Sequence, residues 1–321
     1  MTDLPFVPGT PASRPGPLAR FLPPLEGGVV EALLSGMGDQ SGMLLDPFGV
    51  SPRLAVDAAR AGRAVVVACN NPVTRFVLER TARPFAVGDL RAALARLGAA
   101  PKDGTRLELF LLDLYRTECA RCGAAVTADH FVWDRDAQRL TLKAYLCQSC
   151  NHAGEDPATE ADQARALAMS RRGLQHALAL EQVAPAGDPD REHADAALSV
   201  YPGRALFALV TLLNKLTTLP LDHPLDAAAR ALVLSACDAS NALWGHPETR
   251  HRPRQLIASP RYRESNVWLA MEKAVEEWIS TDPPIPLTKW EEPQSAHPGS
   301  IAVFAGTARE LMAALPKGSV D

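Results

Sequence analysis

Met43-Leu-Leu-Asp46-Pro47-Phe48-Gly49-Val50-Ser-Pro52-Arg and, a few residues on, Ala64-Val-Val-Val-Ala68-Cys69-Asn70-Asn71-Pro72 decide the fold class. A short apolar run ends at Asp46, a tight loop follows, and residues 54–61 carry a helical pattern. A second apolar run stops at Cys69, and another helix begins near Val73. Short apolar runs bounded by turn residues read as buried strands. Alternation of such strands with helices predicts an α/β fold, here the start of a doubly wound sheet with a ligand crevice at the strands' carboxyl ends.

Downstream, Cys119-Ala-Arg-Cys122-Gly123 and Cys147-Gln-Ser-Cys150-Asn151 hold four of the six cysteines, with 24 residues between the pairs. Two such pairs fit a tetrahedral four-thiolate zinc site, structural because no coordination position stays open. Gly123 and Asn151 are the residue types that best tolerate positive φ where the chain leaves each knuckle. Residues 125–133 and 140–146 read as two strands joined by the turn at 134–137, which makes a zinc ribbon. The alternatives are buried free thiols or a disulfide-stapled loop. His130 and His152 lie nearby as lesser candidates for ligands.

Working outward, residues 1–24 contain seven prolines and read as an irregular arm. A short helix is expected over 28–37, another over 106–116, and a long one over 156–184 opened by Asp156-Pro157. Further helices follow at about 191–199, 203–217, 227–244 and 266–280. Arg250, Arg252, Arg254, Arg261 and Arg263 form the most basic segment; it suits phosphate contacts, or it is a solvated loop. Residues 301–305 and 308–315 read as a returning strand and helix. The implied organisation is an arm (1–27), a first α/β part (28–105), helix and ribbon (106–155), a helical domain (156–281), a proline-rich linker (282–299) and the returning strand–helix (300–321).

Hydrophobic residues at 47% and charged residues at 22% describe a globular chain, and the net charge of −4 neither requires nor excludes nucleic acid. No apolar run reaches 18 residues and the N-terminus lacks signal-peptide features, so no membrane and a cytoplasmic, thiol-preserving location are expected.

The 43–72 stretch resembles the opening of S-adenosylmethionine-dependent DNA methyltransferases, and the inserted ribbon resembles more narrowly the zinc-ribbon adenine-specific group. In that family an Asp-Pro-Phe-x-Gly-x-Gly loop wraps the methionine end of the cofactor, and an acidic residue two positions before Asn-Pro binds its ribose. The resemblance implies a partial Rossmann-like methyltransferase sheet with an inserted four-cysteine zinc ribbon and a helical domain. It implies zinc and S-adenosylmethionine as cofactors and DNA as partner. Asp46, Phe48, Gly49, Asn70 and Asn71 would line the cofactor, with Gly306 and Thr307 near its adenine. Val50 and Pro52 stand where the family has its two glycines, and Cys69 stands at the acidic position. An ordinary βα turn is the competing reading of 46–52.

Asp282-Pro283-Pro284-Ile285 is similar to the family's Asp-Pro-Pro-Tyr amine-binding motif, but a helix precedes it and Ile285 replaces the aromatic residue. It reads as linker, so no catalytic residue is assigned. By the same resemblance the chain stops before the strand that carries the true motif. The isolated chain is then expected to be inactive and to need a C-terminal half supplied in trans. The alternative is a non-catalytic nucleic-acid-binding protein on this scaffold. A dinucleotide-dependent oxidoreductase is disfavoured because no G-x-G-x-x-G follows the first strand.

Overall fold

The computed structural model describes residues 7–11, 16–36, 42–247, 255–291 and 296–316. Contacts divide the chain into two units, Met1–Phe85 with Trp278–Asp321, and Ala86–Glu277.

The first unit begins with α1 (Val29–Gly36), which buries Val30 and Leu34 one helical turn apart. β1 (Met43–Asp46) leads to α2 (Pro52–Arg60), opened by Pro52, whose missing N–H costs nothing in a first turn. The buried face of α2 is mostly small, with Ala55, Ala58 and Ala59 beside Val56. β2 (Ala64–Ala68) is buried from Val65 onward, and α3 (Pro72–Ala82) is capped by the Asn71 side chain.

In the second unit, α4 (Val87–Ala99), not expected from the sequence, packs on a long helix described below. The two-residue strands β3 (Pro101–Lys102) and β4 (Thr105–Arg106) form a hairpin ahead of α5 (Leu107–Asp113). Then come β5 (Arg116–Glu118), β6 (Ala125–Thr127), β7 (His130–Asp134), β8 (Arg139–Leu146) and β9 (Ala153–Pro157). The helices α6 (Glu160–Leu167), α7 (Leu174–Val183), α8 (Arg191–Leu198), α9 (Gly203–Thr218) and α10 (His223–Ala239) follow. β10 (Arg261–Ser265) and α11 (Val267–Trp278) complete the stretch, and α4 lies against α10. Gly98 on α4 lets Trp268 approach; an added Cβ would stand 2.7 Å from its ring.

The structure departs from the sequence expectation at 125–133, at 156–184 and in the predicted 282–299 linker, which contains a strand at Leu287–Lys289. The predicted strand over 125–133 is two strands interrupted at Ala128 and Asp129; β6 pairs with β5, whereas β7 pairs with β8. The predicted helix over 156–184 is instead β9 followed by two shorter helices. Asp156 is drawn into the strand because Tyr145 and His152 hold its carboxylate, and Pro157 is tolerated on an edge strand. The resulting sheet has order β10-β7-β8-β9, all antiparallel.

One face of that sheet buries a charge pair. Arg204 and Glu264, each 1% exposed, form a two-pronged ion pair with Nε–Oε1 and Nη2–Oε2 both at 2.9 Å. Trp133 donates its indole N–H to the same carboxylate, Arg204 also donates to the Leu114 carbonyl, and its guanidinium lies over the rings of Tyr115 and Phe131.

Back in the first unit, β11 (Leu287–Lys289), β12 (Ile301–Phe304) and α12 (Ala308–Ala314) close the fold. The sheet order is β1-β2-β12-β11 and all pairs are parallel. β2 is covered on both faces, as parallel strands are. Val65 and Val67 point into a core with Val30, Val56 and Leu78, while Val66 and Ala68 meet Trp290, Ala302 and Leu311. Among the described residues, β1 pairs on one side only. No single helix is long and apolar enough to cross a membrane among the described residues.

Candidate functional site

The four cysteines are brought together by two pairs of strands. β5 and β6 flank the first knuckle, and β8 and β9 flank the second. Gly123 and Asn151 take φ of 72° and 54°, as their types suggest. Each knuckle closes on its backbone: Cys119 N–H donates to the Ala124 carbonyl and Cys147 N–H to the His152 carbonyl. The sulfur separations are 3.7 Å for Cys119–Cys150 and 3.6 Å for Cys122–Cys147, and all four sulfurs lie within 4.8 Å of one another. A tetrahedron with metal–sulfur bonds of about 2.3 Å has edges of about 3.8 Å, so the cluster could hold a metal ion such as zinc.

The electrostatics agree with that donor set. Burial opposes ionisation of Cys119, yet N–H groups of the knuckle, the Tyr145 hydroxyl and the Cys150 thiol together pull it down to about 6. Cys147 is lowered in the same way. Cys150 is pushed up to about 12, because although its own backbone contact favours the thiolate, burial and the three neighbouring sulfurs oppose it. Negative charge is thus favoured in the cluster but cannot spread to all four sulfurs without a cation.

His152 does not join the cluster; its Nε2 is 2.8 Å from Asp156, which also accepts the Tyr145 hydroxyl at 2.6 Å. That hydroxyl accepts the Ala120 N–H inside the first knuckle, so the network braces the site from outside. His130 turns to Glu155 instead, and burial together with the charge of Arg263 drives its pKa down to about 4. Lys143, buried, ties the sheet to β5 through Thr117 and the Glu118 carbonyl.

In the first unit three loops meet at the carboxyl ends of β1, β2 and β12. The Asp46 carboxylate accepts the N–H groups of Phe48 and Gly49 at 3.1 and 3.0 Å, which folds the loop back on the strand. Gly49 has φ of 54°, and a Cβ there would stand 2.5 Å from the Ala68 carbonyl oxygen. The left-handed glycine therefore sits one position ahead of the first glycine of the Asp-Pro-Phe-x-Gly-x-Gly loop that the stretch resembles, while Val50 and Phe48 are exposed. Cys69 N–H bonds the Phe304 carbonyl, joining the second loop to the third. Asn71 spends its side chain on the N–H groups of Val73 and Thr74, and Asn70 is exposed beside it. Gly306 is buried under Phe304, and Thr307 caps α12 in a reciprocal box with Glu310.

The sequence candidates for the cofactor thus lie at one end of one sheet, but they fit S-adenosylmethionine only in part. The Cys69 thiol is buried, faces the Gly49 and Asn71 carbonyls, and is held protonated chiefly by burial, so it offers no anionic acceptor. Asn70 is the exposed amide next to it.

Asp282 lies at the other end of the sheet. It precedes β11, which runs parallel to the rest, and its carboxylate pairs with Arg60 at the C-terminus of α2 at 2.9 Å. Ile285 is buried and bonds the Ala82 carbonyl. Of the arginine segment, Arg250, Arg252 and Arg254 lie outside the described residues; Arg261 is exposed and Arg263 half-buried on β10. Sequence reasoning had no signal for a separate cavity of about 330 Å³ in the second unit, where Arg171 lies over the stacked rings of Trp133 and Tyr262. No protein-family model, no curated protein and no solved structure matches the chain.

Proposed function

We propose that the first unit binds S-adenosylmethionine in the manner of a DNA methyltransferase, and that the second unit carries a zinc ribbon and arginines that contact DNA. The observation that supports this reading best is the meeting of the Asp46–Gly49, Cys69–Asn71 and Phe304–Thr307 loops at the carboxyl ends of adjacent parallel strands. Crevices of this kind are where open α/β sheets take their ligands.

In this reading the loop ordered by Asp46 holds the methionine end, Asn70 stands in for the missing acid at the ribose, and Gly306 with Thr307 borders the adenine. The cofactor supplies a methyl group when bound. The chain's own residues bind and orient it; Asp282, ion-paired at the opposite end of the sheet, cannot grip a target amine beside it. Among the described residues β1 pairs on one side only, which leaves an edge where a further strand could add. With Asp282 so placed, residues 1–321 are expected in this reading to bind the cofactor without transferring its methyl group.

Calorimetry of S-adenosylmethionine on the purified chain tests the first half, and transfer of labelled methyl to DNA tests the second. Saturable cofactor binding without methyl transfer is the expected result. DNA binding with no cofactor binding would favour the second reading, a non-catalytic nucleic-acid-binding protein, to which the buried thiol of Cys69 already lends weight. Stoichiometric methylation by residues 1–321 would overturn the assignment of Asp282 to the linker.

A further inference from the structure

The antiparallel sheet of the second unit brings together three side chains that the methyltransferase reading leaves unused. His130 on β7, Ala144 on β8 and Glu155 on β9 form one cross-strand row. Side chains directly opposite on one face are neighbours, and the middle position here is only a methyl group. The imidazole and the carboxylate therefore meet above Ala144, with Nε2–Oε1 at 3.2 Å. His246 arrives from elsewhere in the chain. Its N–H donates to the Arg261 carbonyl and Gly245 bridges to Tyr262, which places His246 Nε2 3.3 Å from the other oxygen of Glu155.

The two histidine side chains are 13% and 10% exposed, whereas Glu155 is 36% exposed, so the cluster opens to solvent on the carboxylate side. His246 Nδ1 is buried and has no hydrogen-bond partner among the described residues. One donor atom from each of the three residues lies within 4.8 Å of the others. Metal–nitrogen and metal–oxygen bonds of about 2.0–2.2 Å in a tetrahedron imply ligand separations of about 3.3–3.6 Å. The two His–Glu separations, 3.2 and 3.3 Å, run one to each oxygen of Glu155 and are close to that spacing, while the three donor atoms as a set lie within 4.8 Å.

We propose that His130, Glu155 and His246 form a second metal site, taking one divalent ion of the zinc class through two imidazole nitrogens and one carboxylate, with solvent completing the coordination. Two nitrogens and one oxygen suit zinc and cobalt, and three protein ligands with an open position are the pattern of sites that hold water or a substrate atom. The nearby charge of Arg263 opposes a cation, so this site should release its ion to a chelator before the four-thiolate cluster does. It would also fasten the 246 segment, which leads into the arginine-rich stretch, onto the sheet.

The test is metal content and cobalt spectroscopy on the full chain. After loading with zinc and gel filtration, elemental analysis should give two ions per chain, falling to one in His246→Ala and in His130→Ala. Cobalt in the cysteine cluster gives intense thiolate charge-transfer bands, whereas the His/Glu site contributes only weak d–d bands. The weak bands should vanish in His246→Ala while the charge-transfer bands persist. Persistence of those bands also shows that the second unit has folded. Glu155→Gln, which keeps size and hydrogen bonding but removes the anionic ligand, should likewise lose one ion. One ion per chain in the wild type, unchanged in all three variants, would show that the three residues form only a hydrogen-bonded bridge and overturn the proposal.

Discussion

Replacing Arg204 by Met should be among the most damaging single changes in the second unit. The substitution roughly preserves volume, but it strands Glu264, 1% exposed, without its cation. It also removes the donor to the Leu114 carbonyl and the cation over Tyr115 and Phe131. Among the described residues the carboxylate then keeps only the indole N–H of Trp133. Breaking a buried pair on one side costs about 3–5 kcal/mol, because an uncompensated charge stays out of water. With a urea dependence of about 3 kcal/mol per molar, the midpoint should fall by about 1–2 M. Urea titration followed by tryptophan emission reads this directly, since Trp133 stacks on Tyr262 and bonds Glu264. Arg204→Met with Glu264→Gln removes the stranded charge yet leaves an acceptor for Trp133, so the double variant should recover at least half of the loss. A single-variant cost below about 1 kcal/mol, or a double variant as damaged as the two singles added together, would refute the reasoning.

Gly49→Ala should cost more than the left-handed penalty of about 1–2 kcal/mol, because its Cβ would press on the Ala68 carbonyl oxygen, and it should abolish cofactor binding in calorimetry. Gly62→Ala, at φ of 87° with nothing near the added Cβ, is the control that should lose only the conformational part. Cys122→Ser should remove one metal ion per chain and make the β5–β6 hairpin susceptible to protease; an unchanged metal content by elemental analysis would contradict the four-thiolate cluster.

The parallel strands of the first unit were legible because each is a short apolar run bounded by turn residues, and the cysteine cluster because its spacing admits few geometries. β11 was not, since Leu287-Thr-Lys289 carries a single apolar side chain and is a strand only because β12 offers an edge. Asp156-Pro157 looked like a helix opening, as Pro is at home in a first turn; what overrides it is the grip of Tyr145 and His152 on the Asp156 carboxylate. The turn after β1 that holds Asp46 and Gly49 is legible in the sequence, yet the loop's hydrogen bonding and the burial of the Cys69 thiol required coordinates. The row of His130 and Glu155 depends on strand register, and His246 lies far off in the chain, so no local pattern could have joined them.

The sheet of the first unit draws two strands from before the second unit and two from after it, and this imposes an order on folding. Pairing β12 with β2 across an unstructured insertion of roughly 190 residues would cost about 5 kcal/mol in closure entropy alone. The first-unit residues on either side of the insertion, Phe85 and Trp278, have rings 5.9 Å apart, so the chain leaves that unit and returns to it at neighbouring points. Ala86–Glu277 should therefore fold first and the parallel sheet afterwards. A chain deprived of metal, or carrying a stranded Glu264, would then be slow to assemble a crevice to which neither contributes an atom.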